Sequence, residues 1–463
     1  MYNLYAATND IRSRILGLDV LVKLKSGREV PAINLDNAAT TPAFKEAADS
    51  VREKLMYYGS IGRGKGQKSE ISSQIYEDGR DVIKNFVGAN SDKYEVFYVN
   101  CTTDGMNKLA SALITSHRDI VLTTRMEHHA NDLPWRERCR TVYAEVDSFG
   151  RLCTDDFAKL LEEYGGRIKY VCVSAASNVT GYVNDVHKIA KTAHLFGAKI
   201  VVDGAQIVAH REFSMLGTQG ENDDIDYFVF SAHKMYSPFG GGAVVGLKEE
   251  LNSKLPVFYG GGMVDKVTDN DVIYSEVPDR YEAGSPNYPG VVGMLKAIEL
   301  LQKIGFDFIR EHEQILLRRA IDKLRYEIPS VILYGDCENI ADRVGILPFN
   351  LKLLENDEVA DKLAENAAIA VRHAKFCSHT YVDRLLGLSP NPEERIANKT
   401  GCVHEGMVRV SFGIYNTEKD VDALVAALTE MLRGDYVTAF AEGRVKALSD
   451  TVKAGRRMPN DRG

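Results

Sequence analysis

Short apolar runs alternate with amphipathic helical segments between about residue 95 and residue 247. Seven of these runs predict strands: EVFYVN, DIVLTT, TVYAEV, IKYVCVSAAS, AKIVVD, DYFVFS and GGAVVGL. Helix-like segments lie between them, such as NDVHKIAKTAHLFG, which ends at a C-capping glycine, Gly197. Strands that alternate with helices indicate an α/β domain with a mainly parallel sheet. We expect its ligands at the carboxyl ends of the strands.

The pattern changes on both sides of this region. LDVLVKLKSGREVPAINLD predicts two short strands around a Ser-Gly turn, and NAATTP then opens a helix. A long amphipathic helix over about residues 291–327 would carry the chain into a smaller α+β domain, whose last helix is EKDVDALVAALTEMLR. This last helix presents a predicted buried stripe of Val421, Leu424, Val425 and Leu428. We expect an N-terminal segment that packs with the small domain (1–35), a large domain (36–290), a small domain (291–434) and a partly disordered extension (435–463).

Composition narrows the function classes. The 463 residues carry a net charge of −8, which argues against a nucleic-acid or anionic-membrane binder. No apolar run is long enough to predict a transmembrane helix, and MYNLYAATNDIRSRIL lacks the pattern of a signal peptide. The seven cysteines are scattered, without CxxC pairs: Cys101, Cys139, Cys153, Cys172, Cys337, Cys377 and Cys402. We therefore expect a cytoplasmic protein with no disulfide framework and no metal site.

Two predicted strand ends carry an aspartate and a lysine. VVDGAQ places Asp203 at the end of an apolar strand, and DYFVFSAHK places Lys234 at the end of the next one. An enzyme that uses pyridoxal 5'-phosphate requires a lysine to form a Schiff base with the aldehyde and an acid to pair with the pyridinium nitrogen. Taken singly, Asp203 could cap a turn and Lys234 could be a surface charge. Together, on consecutive strand ends, they favour this cofactor.

Hydroxyl groups follow another strand end. VNCTTDGMN predicts a strand that runs into a helix. Hydroxyls and free backbone N–H groups at a helix N-terminus bind phosphate, and Thr102 and Thr103 fit that role. Ser231 and His233 would converge on the same place from the lysine strand.

MEHHAND places two adjacent histidines, His128 and His129, just after a strand. One of them could stack on a flat heteroaromatic ring. A metal site is the alternative, but adjacent histidines point in different directions and no acidic or cysteine cluster accompanies them. Asn178, in SAASNVTG, lies at a further strand end, near where a ring hydroxyl or the substrate would lie.

Five segments follow one another in a familiar order: MEHHAN, SNVTG, VDGAQ, FSAHK and YEAGSPN. With them, the chain resembles fold-type I pyridoxal phosphate enzymes of the class V aminotransferase family, and within it the cysteine desulfurase and selenocysteine lyase branch. The resemblance extends from LDNAATTP to the last helix. It implies a large domain with a mainly parallel seven-stranded sheet, a smaller α+β C-terminal domain, and pyridoxal 5'-phosphate as the cofactor.

The resemblance implies a role for each cofactor-binding residue. Lys234 resembles the Schiff-base lysine and proton shuttle, and Asp203 resembles the partner of the pyridinium nitrogen. Gln206 resembles the residue that bonds the ring hydroxyl, and His128 the catalytic histidine that stacks on the ring. The implied phosphate ligands are Thr102, Thr103, Ser231 and His233.

The resemblance also implies how the substrate and a second subunit are placed. Arg409, in MVRVSFGIYNT, matches the arginine that clamps the substrate carboxylate, for which a planar guanidinium is suited. Asn178 and the backbone around Ala38 would help to hold the same small amino-acid substrate. Ser285, in EAGSPN, matches the position that reaches the phosphate of the neighbouring subunit, which implies a homodimer with shared active sites.

VRHAKFCSHTY surrounds Cys377 with basic side chains. In the desulfurase branch, a loop after an arginine carries the cysteine that attacks the substrate's sulfur, and here four residues separate Arg372 from Cys377. The resemblance implies that Cys377 takes the sulfur as a persulfide, with Arg372 among the substrate-binding residues. Such a thiol needs a lowered pKa and access. The alternative for Cys377 is a half-buried loop thiol with no role, and we expect Cys101 and Cys402 to be structural.

The expected function is removal of sulfur or selenium from L-cysteine or L-selenocysteine, with a sulfur-acceptor protein as a possible partner. The residues that flank Cys377 differ from those of the branch, so the substrate's identity does not carry over. One alternative is an aminotransferase, epimerase or C–S lyase that acts on another amino acid without a thiol nucleophile. Another is a partner-docking or sulfur-carrying scaffold, against which the intact Lys234–Asp203 pair speaks.

Overall fold

Two sheets organise the chain in the computed structural model, which describes residues 2–62, 64–238, 240–352, 354–389 and 404–441. The strands are β1 (Leu21–Lys23), β2 (Glu29–Pro31), β3 (Ile33–Asn34), β4 (Tyr94–Val99), β5 (Ile120–Thr124), β6 (Arg140–Ala144), β7 (Ile168–Ser174), β8 (Lys199–Asp203), β9 (Tyr227–Ser231), β10 (Gly242–Leu247), β11 (Val264–Val267), β12 (Val272–Tyr274), β13 (Val331–Leu333), β14 (Ile346–Leu351), β15 (Ile369–Ala370), β16 (Arg372–Ala374) and β17 (Met407–Ser411).

The α-helices are α1 (Tyr2–Ser13), α2 (Lys45–Leu55), α3 (Gln67–Phe86), α4 (Thr102–Leu113), α5 (Leu133–Arg136), α6 (Thr154–Tyr164), α7 (Val186–Leu195), α8 (Lys248–Ser253), α9 (Tyr288–Ile304), α10 (Phe306–Glu327), α11 (Asn356–Ala367), α12 (His379–Leu385) and α13 (Glu418–Ala441). Short 3₁₀ turns cover His129–Asn131, Ile207–Ala209, Ala232–Lys234 and Asp279–Tyr281. Within the described ranges, none of the helices has the length and apolar character needed to cross a membrane.

The larger sheet has seven strands in the order β4-β10-β9-β8-β7-β5-β6. The strands from β9 to β6 are parallel to one another, whereas β10 is antiparallel to both β4 and β9. All seven predicted strands belong to this sheet, so the prediction of a mainly parallel α/β sheet is confirmed.

Helices cover both faces of this sheet. Tyr98 and Leu122 belong to one buried apolar layer, whereas their neighbours Phe97 and Val121 belong to the layer on the opposite face. Successive side chains of a strand point to opposite faces, so each strand contributes to both layers. A parallel sheet that is covered on both faces requires strands that are apolar throughout, which is why these runs could be read from the sequence.

The strand register brings several strand ends to one edge of the sheet. Gly242 of β10 pairs with Val99 at the end of β4 and with Ser231 at the end of β9. Asp203, at the end of β8, pairs with Ser174 at the end of β7. The loops that follow β4, β7, β8 and β9 therefore leave the sheet at the same edge.

The second sheet has four strands in the order β13-β14-β17-β16. Arg409 of β17 pairs with Arg372 of β16 in the antiparallel register. Helices α10, α11 and α13 cover one face of this sheet with a separate apolar core. The stripe predicted in the last helix is confirmed, because this core contains Val421, Leu424, Val425 and Leu428.

Two helix boundaries differ from the expectation. The helix expected over about 291–327 is two helices, α9 and α10, which are separated at Gly305, where φ is +89°. Glycine adopts this left-handed region without the steric cost that a side chain would impose. The last helix continues past residue 434 to Ala441, and the rest of the predicted extension, 442–463, lies outside the described residues, as does Cys402.

Candidate active site

One cavity of about 210 Å³ lies at the edge of the large sheet where the strand ends meet. It is lined by every cofactor- and substrate-binding residue predicted above except Ser285: Ala38, Thr102, Thr103, His128, Asn178, Asp203, Gln206, Ser231, His233, Lys234, Arg372, Cys377 and Arg409. Ser285 instead lines a separate pocket together with Tyr76, Tyr98 and Glu282. Cys101, which we expected to be structural, also lines the main cavity.

Lys234 and Asp203 both line the cavity and interact electrostatically. Burial lowers the pKa of the Lys234 amine. The negative charge of Asp203 opposes this decrease, and the positive charge of Arg409 adds to it. Asp203 is 5% exposed, and its burial raises its pKa. A 2.9 Å hydrogen bond from the Ala205 N–H and the charge of Lys234 act in the opposite direction and lower this pKa. Among the described residues, Lys234 Nζ has no hydrogen bond or ion pair, so its amine is available for covalent chemistry.

Hydroxyl groups cluster at the first turn of α4. The Thr102 N–H donates to Ser231 Oγ at 2.7 Å, and the two hydroxyl oxygens of these residues are 2.8 Å apart. The residue that precedes the helix is Cys101, and its side chain makes no capping hydrogen bond to the first turn of α4, which the structure describes. A helix N-terminus with adjacent hydroxyl groups is suited to an anion such as phosphate. His233 lies beside it, and burial followed by the charge of Lys234 lowers its pKa to about 4.

His128 is held as a neutral imidazole. Its Nδ1 accepts a 3.0 Å hydrogen bond from the Ala130 N–H, so the neutral ring carries its proton on Nε2. Burial lowers the pKa of His128 to about 3, and the charges of Lys234, His129 and Arg409 contribute in the same direction. The ring is therefore uncharged at neutral pH, as suits stacking on a flat ring.

The preceding residue, Glu127, is a buried carboxylate that sequence analysis did not single out. Its oxygens accept hydrogen bonds from Thr124 Oγ1 at 2.6 Å, Asn131 Nδ2 at 2.7 Å and Ser174 Oγ at 2.6 Å. Burial raises the pKa of Glu127 to about 7, and the charge of Asp203 adds to the increase. These bonds tie the turn that carries His128 to the end of β7.

Arg409 also lines the cavity and is 2% exposed. Its Nη1 donates to the Asn178 carbonyl at 2.8 Å, its Nη2 donates to Asp36 Oδ1 at 2.7 Å, and its buried Nε has no partner within the described residues. Burial lowers the pKa of Arg409, and Asp36 opposes the decrease. An unpaired buried N–H is costly, so this edge of the guanidinium is suited to a further acceptor such as a carboxylate.

Asp36 is a second residue that sequence analysis missed, although LDNAATTP was quoted for Ala38. It also lies 3.8 Å from Arg372 Nη1. The nearby backbone of Ala38 is occupied by the protein: its carbonyl accepts from Gln206 Nε2 at 2.8 Å and its N–H donates to Ser411 Oγ at 2.9 Å. These bonds join the cofactor side of the cavity to the strand that carries Arg409.

Cys377 is exposed and lies on a strained loop that enters the cavity from the small sheet. Ala374, Phe376 and Cys377 have φ values of +78°, +52° and +56°. The left-handed region costs about 1–2 kcal/mol for a residue with a side chain, so neighbouring contacts must hold the loop. One such contact is the His129 N–H, which donates to the Cys377 carbonyl at 2.7 Å. Lys375, a basic residue of this loop, is paired with Asp383 at 2.7 Å.

Comparison with known proteins identifies the group to which this fold and cavity belong. Residues 33–424 match the family model of class V aminotransferases, and the chain belongs to this family. A cysteine desulfurase of Haloferax volcanii is 33% identical over 407 residues, which span 86% of this chain and 89% of that protein.

Solved structures give the same result. The apo cysteine desulfurase of Thermococcus onnurineus is similar with a TM-score of 0.77 at 27% identity, covering 87% of this chain and 95% of that one. An S-sulfonic acid form of an Escherichia coli cysteine desulfurase is similar with a TM-score of 0.74 at 25% identity, covering 92% of this chain and 98% of that one. The predicted family and fold class are confirmed.

The cofactor of this family is pyridoxal 5'-phosphate, and the cavity fits it. The unbonded Lys234 amine suits an aldehyde, and the buried Asp203 carboxylate suits a protonated ring nitrogen. The first turn of α4, with the hydroxyls of Thr102 and Ser231, suits a phosphate.

Proposed function

We propose that this chain is a pyridoxal phosphate-dependent cysteine desulfurase that converts L-cysteine to L-alanine, with Cys377 as the thiol that accepts the sulfur. The observation that carries the proposal is the opening of the Cys377 loop into the cavity that holds Lys234, Asp203 and Arg409. The names of the similar proteins support it. Selenocysteine would be a substrate of the same chemistry.

In this proposal, Lys234 holds the cofactor through its amine and moves a proton to and from the substrate's Cα. Its lowered pKa increases the fraction of neutral amine, which is the form that acts as a nucleophile or base. Asp203 and Gln206 orient the ring, and His128 stacks on it. Bound pyridoxal phosphate supplies an electron sink that weakens the bond between the substrate's Cβ and its sulfur. The proposed phosphate ligands are Thr102, Thr103, Ser231 and His233.

Cys377 completes the reaction as a thiolate. Its Sγ forms a bond to the substrate's sulfur while the bond between that sulfur and Cβ breaks. The electron pair stays with the carbon skeleton, and Cβ takes up a proton. One cysteine and one thiol thus give one alanine and one persulfide, and no external oxidant is needed. An acceptor thiol, from a reductant or a partner protein, then takes the sulfur from Cys377.

The reaction itself is tested by product stoichiometry. Purified protein loaded with pyridoxal 5'-phosphate and given L-cysteine with a thiol reductant is expected to release alanine and sulfide in equal amounts. The products are measured by amino-acid analysis and a colorimetric sulfide assay. Pyruvate and ammonia in place of alanine would indicate a lyase. Formation of D-cysteine would indicate an epimerase, and a requirement for an added keto acid would indicate a transaminase. Each of these outcomes would contradict the proposal.

Arg409 is proposed to clamp the substrate carboxylate, and Arg409→Lys tests this. Lysine keeps the charge but cannot offer the planar pair of donors. Loss of one charge-assisted hydrogen bond costs about 1.5–3 kcal/mol, so we expect kcat/KM for L-cysteine to fall by about 10- to 10²-fold, mainly through KM. Steady-state kinetics measure it, with Arg319→Lys in a surface ion pair as the control. An unchanged KM would remove Arg409 from the substrate site.

We also propose that the enzyme is a homodimer in which Ser285 of one subunit serves the phosphate site of the other. The placement of Ser285 outside the main cavity of its own chain supports this arrangement. Several large apolar side chains that are exposed in the single chain also favour a partner, among them Leu255, Phe258 and Tyr259.

A further inference from the structure

We propose that Asn178 and Ser378 are positioning residues that hold Cys377 in the orientation for attack on the substrate's sulfur; this inference rests on the proposed role of Cys377. The Asn178 amide bonds to the loop on both sides of the thiol. Its Nδ2 donates to the Phe376 carbonyl at 2.8 Å, and its Oδ1 accepts from Ser378 Oγ at 3.0 Å. We call these two hydrogen bonds the amide clamp.

The amide clamp is shielded from water. Ser378 is 0% exposed and Asn178 is 6% exposed, whereas Cys377 between the two bonded residues is exposed. A hydrogen bond in a site of low dielectric is stronger than the same bond in water, and a buried group that loses its partner is not compensated by solvent. The clamp can therefore restrain a loop whose thiol remains accessible.

The loop needs such a restraint. Phe376 and Cys377 both lie in the left-handed region, which is unfavourable for residues other than glycine. Without bonds on both sides, the two residues would relax towards ordinary backbone angles and the direction of the Cys377 side chain would change. The amide clamp and the bond from the His129 N–H fix three successive residues of the loop, from Phe376 to Ser378.

The same asparagine contacts the proposed substrate clamp. The Asn178 carbonyl accepts from Arg409 Nη1 at 2.8 Å, and the Arg409 guanidinium lies 5.0 Å from the centre of the Phe376 ring. Asn178 thus joins the group that would bind the substrate carboxylate to the loop that carries the nucleophile. Both atoms of the Asn178 amide bond to the loop that carries the nucleophile.

Ser378→Ala tests the inference, because Ser378 donates one of the two hydrogen bonds of the amide clamp. Ser378 is not proposed to touch the substrate. We expect kcat for sulfide release to fall about tenfold, as for the loss of one buried hydrogen bond, while KM for L-cysteine and the visible absorbance of the bound cofactor stay unchanged. The matched control is Thr380→Val in the same segment, whose hydroxyl makes only a 3.4 Å bond to the Arg125 carbonyl. The control is expected to match the wild type.

A second measurement does not depend on turnover. Alkylation of Cys377 by iodoacetamide in the loaded enzyme without substrate, followed by mass spectrometry, is expected to be severalfold faster in Ser378→Ala than in Thr380→Val. Should Ser378→Ala fail to fold, Asn178→Asp removes the donor to the Phe376 carbonyl and is expected to give the same faster alkylation.

The outcomes separate the two proposals. Wild-type kcat and alkylation in Ser378→Ala, with Cys377→Ala inactive, would overturn the clamp and leave the function in place. Full activity in Cys377→Ala would overturn the proposed function first. An equal loss in Ser378→Ala and Thr380→Val would show that any change in this segment acts structurally, and would also overturn the clamp.

Discussion

Cys377→Ala is expected to lower sulfide release from L-cysteine by about 10³-fold or more, because covalent nucleophiles carry most of the rate in enzymes that depend on them. The visible absorbance of the loaded protein should stay at the wild-type level, since burial and Asp203 affect Lys234 more than the thiol does. Sulfide release and absorbance are measured on the same samples. A second readout is the added mass of one sulfur on the peptide that contains Cys377, which is expected in the wild type only.

The control for this variant is Cys153→Ala, which removes a half-buried thiol that does not line the cavity. It should release sulfide at the wild-type rate. If Cys377→Ala released sulfide as fast as the control, a direct lyase reaction would replace the thiol mechanism. Sulfur found on Cys101 instead would move the nucleophile to the other thiol of the cavity.

Lys234→Ala is expected to abolish turnover, with a loss of at least about 10³-fold. The variant loses the group that attaches the cofactor and the base that moves the proton at Cα, and base catalysis alone typically contributes about 10²- to 10⁴-fold. Loss of covalent attachment should shift the visible absorbance, and reduction with borohydride should no longer fix the cofactor to the chain. Absorbance spectra, mass spectrometry and the sulfide assay measure the three effects.

Two controls separate chemistry from charge in this experiment. Lys188→Ala removes an exposed lysine and should have no effect. Lys234→Arg keeps the charge beside Asp203 but lacks a group that can be deprotonated, so it should be as inactive as the alanine variant. Partial recovery of Lys234→Ala by added methylamine would identify the missing function as an amine. Wild-type turnover in either Lys234 variant would contradict its assignment.

Much of the fold follows from local pattern. The seven strands of the large sheet were predictable because a parallel strand that is buried on both faces appears as a short apolar run. The stripe in the last helix was predictable because its period matches the helical repeat. The break at Gly305 was not, since an isolated glycine is tolerated within a helix and the apolar pattern continues on both sides of it.

The residues of the cavity were largely predictable, but two carboxylates that support them were not. Asp203, Ser231 and Lys234 stand at or just after strand ends, and the ends of parallel strands meet at one edge whatever the details of packing. Asp36 was missed because its partner Arg409 lies near the other end of the chain, in β17. Glu127 was missed because, in a sequence, a buried glutamate looks the same as a surface glutamate. Its burial is recognised only when its hydrogen-bond donors, such as Ser174 Oγ, are known.

The sequence by itself determined the class of fold, the family, the cofactor and the set of chemical groups from which the site is built, because these depend on residue type and local order. Only the tertiary structure decided which groups bond to one another. It placed the Asn178 amide on the two residues that flank Cys377, and it placed Ser285 outside the cavity of its own chain. Contacts between residues far apart in the chain depend on how the two sheets pack, and no periodicity along the chain records that packing.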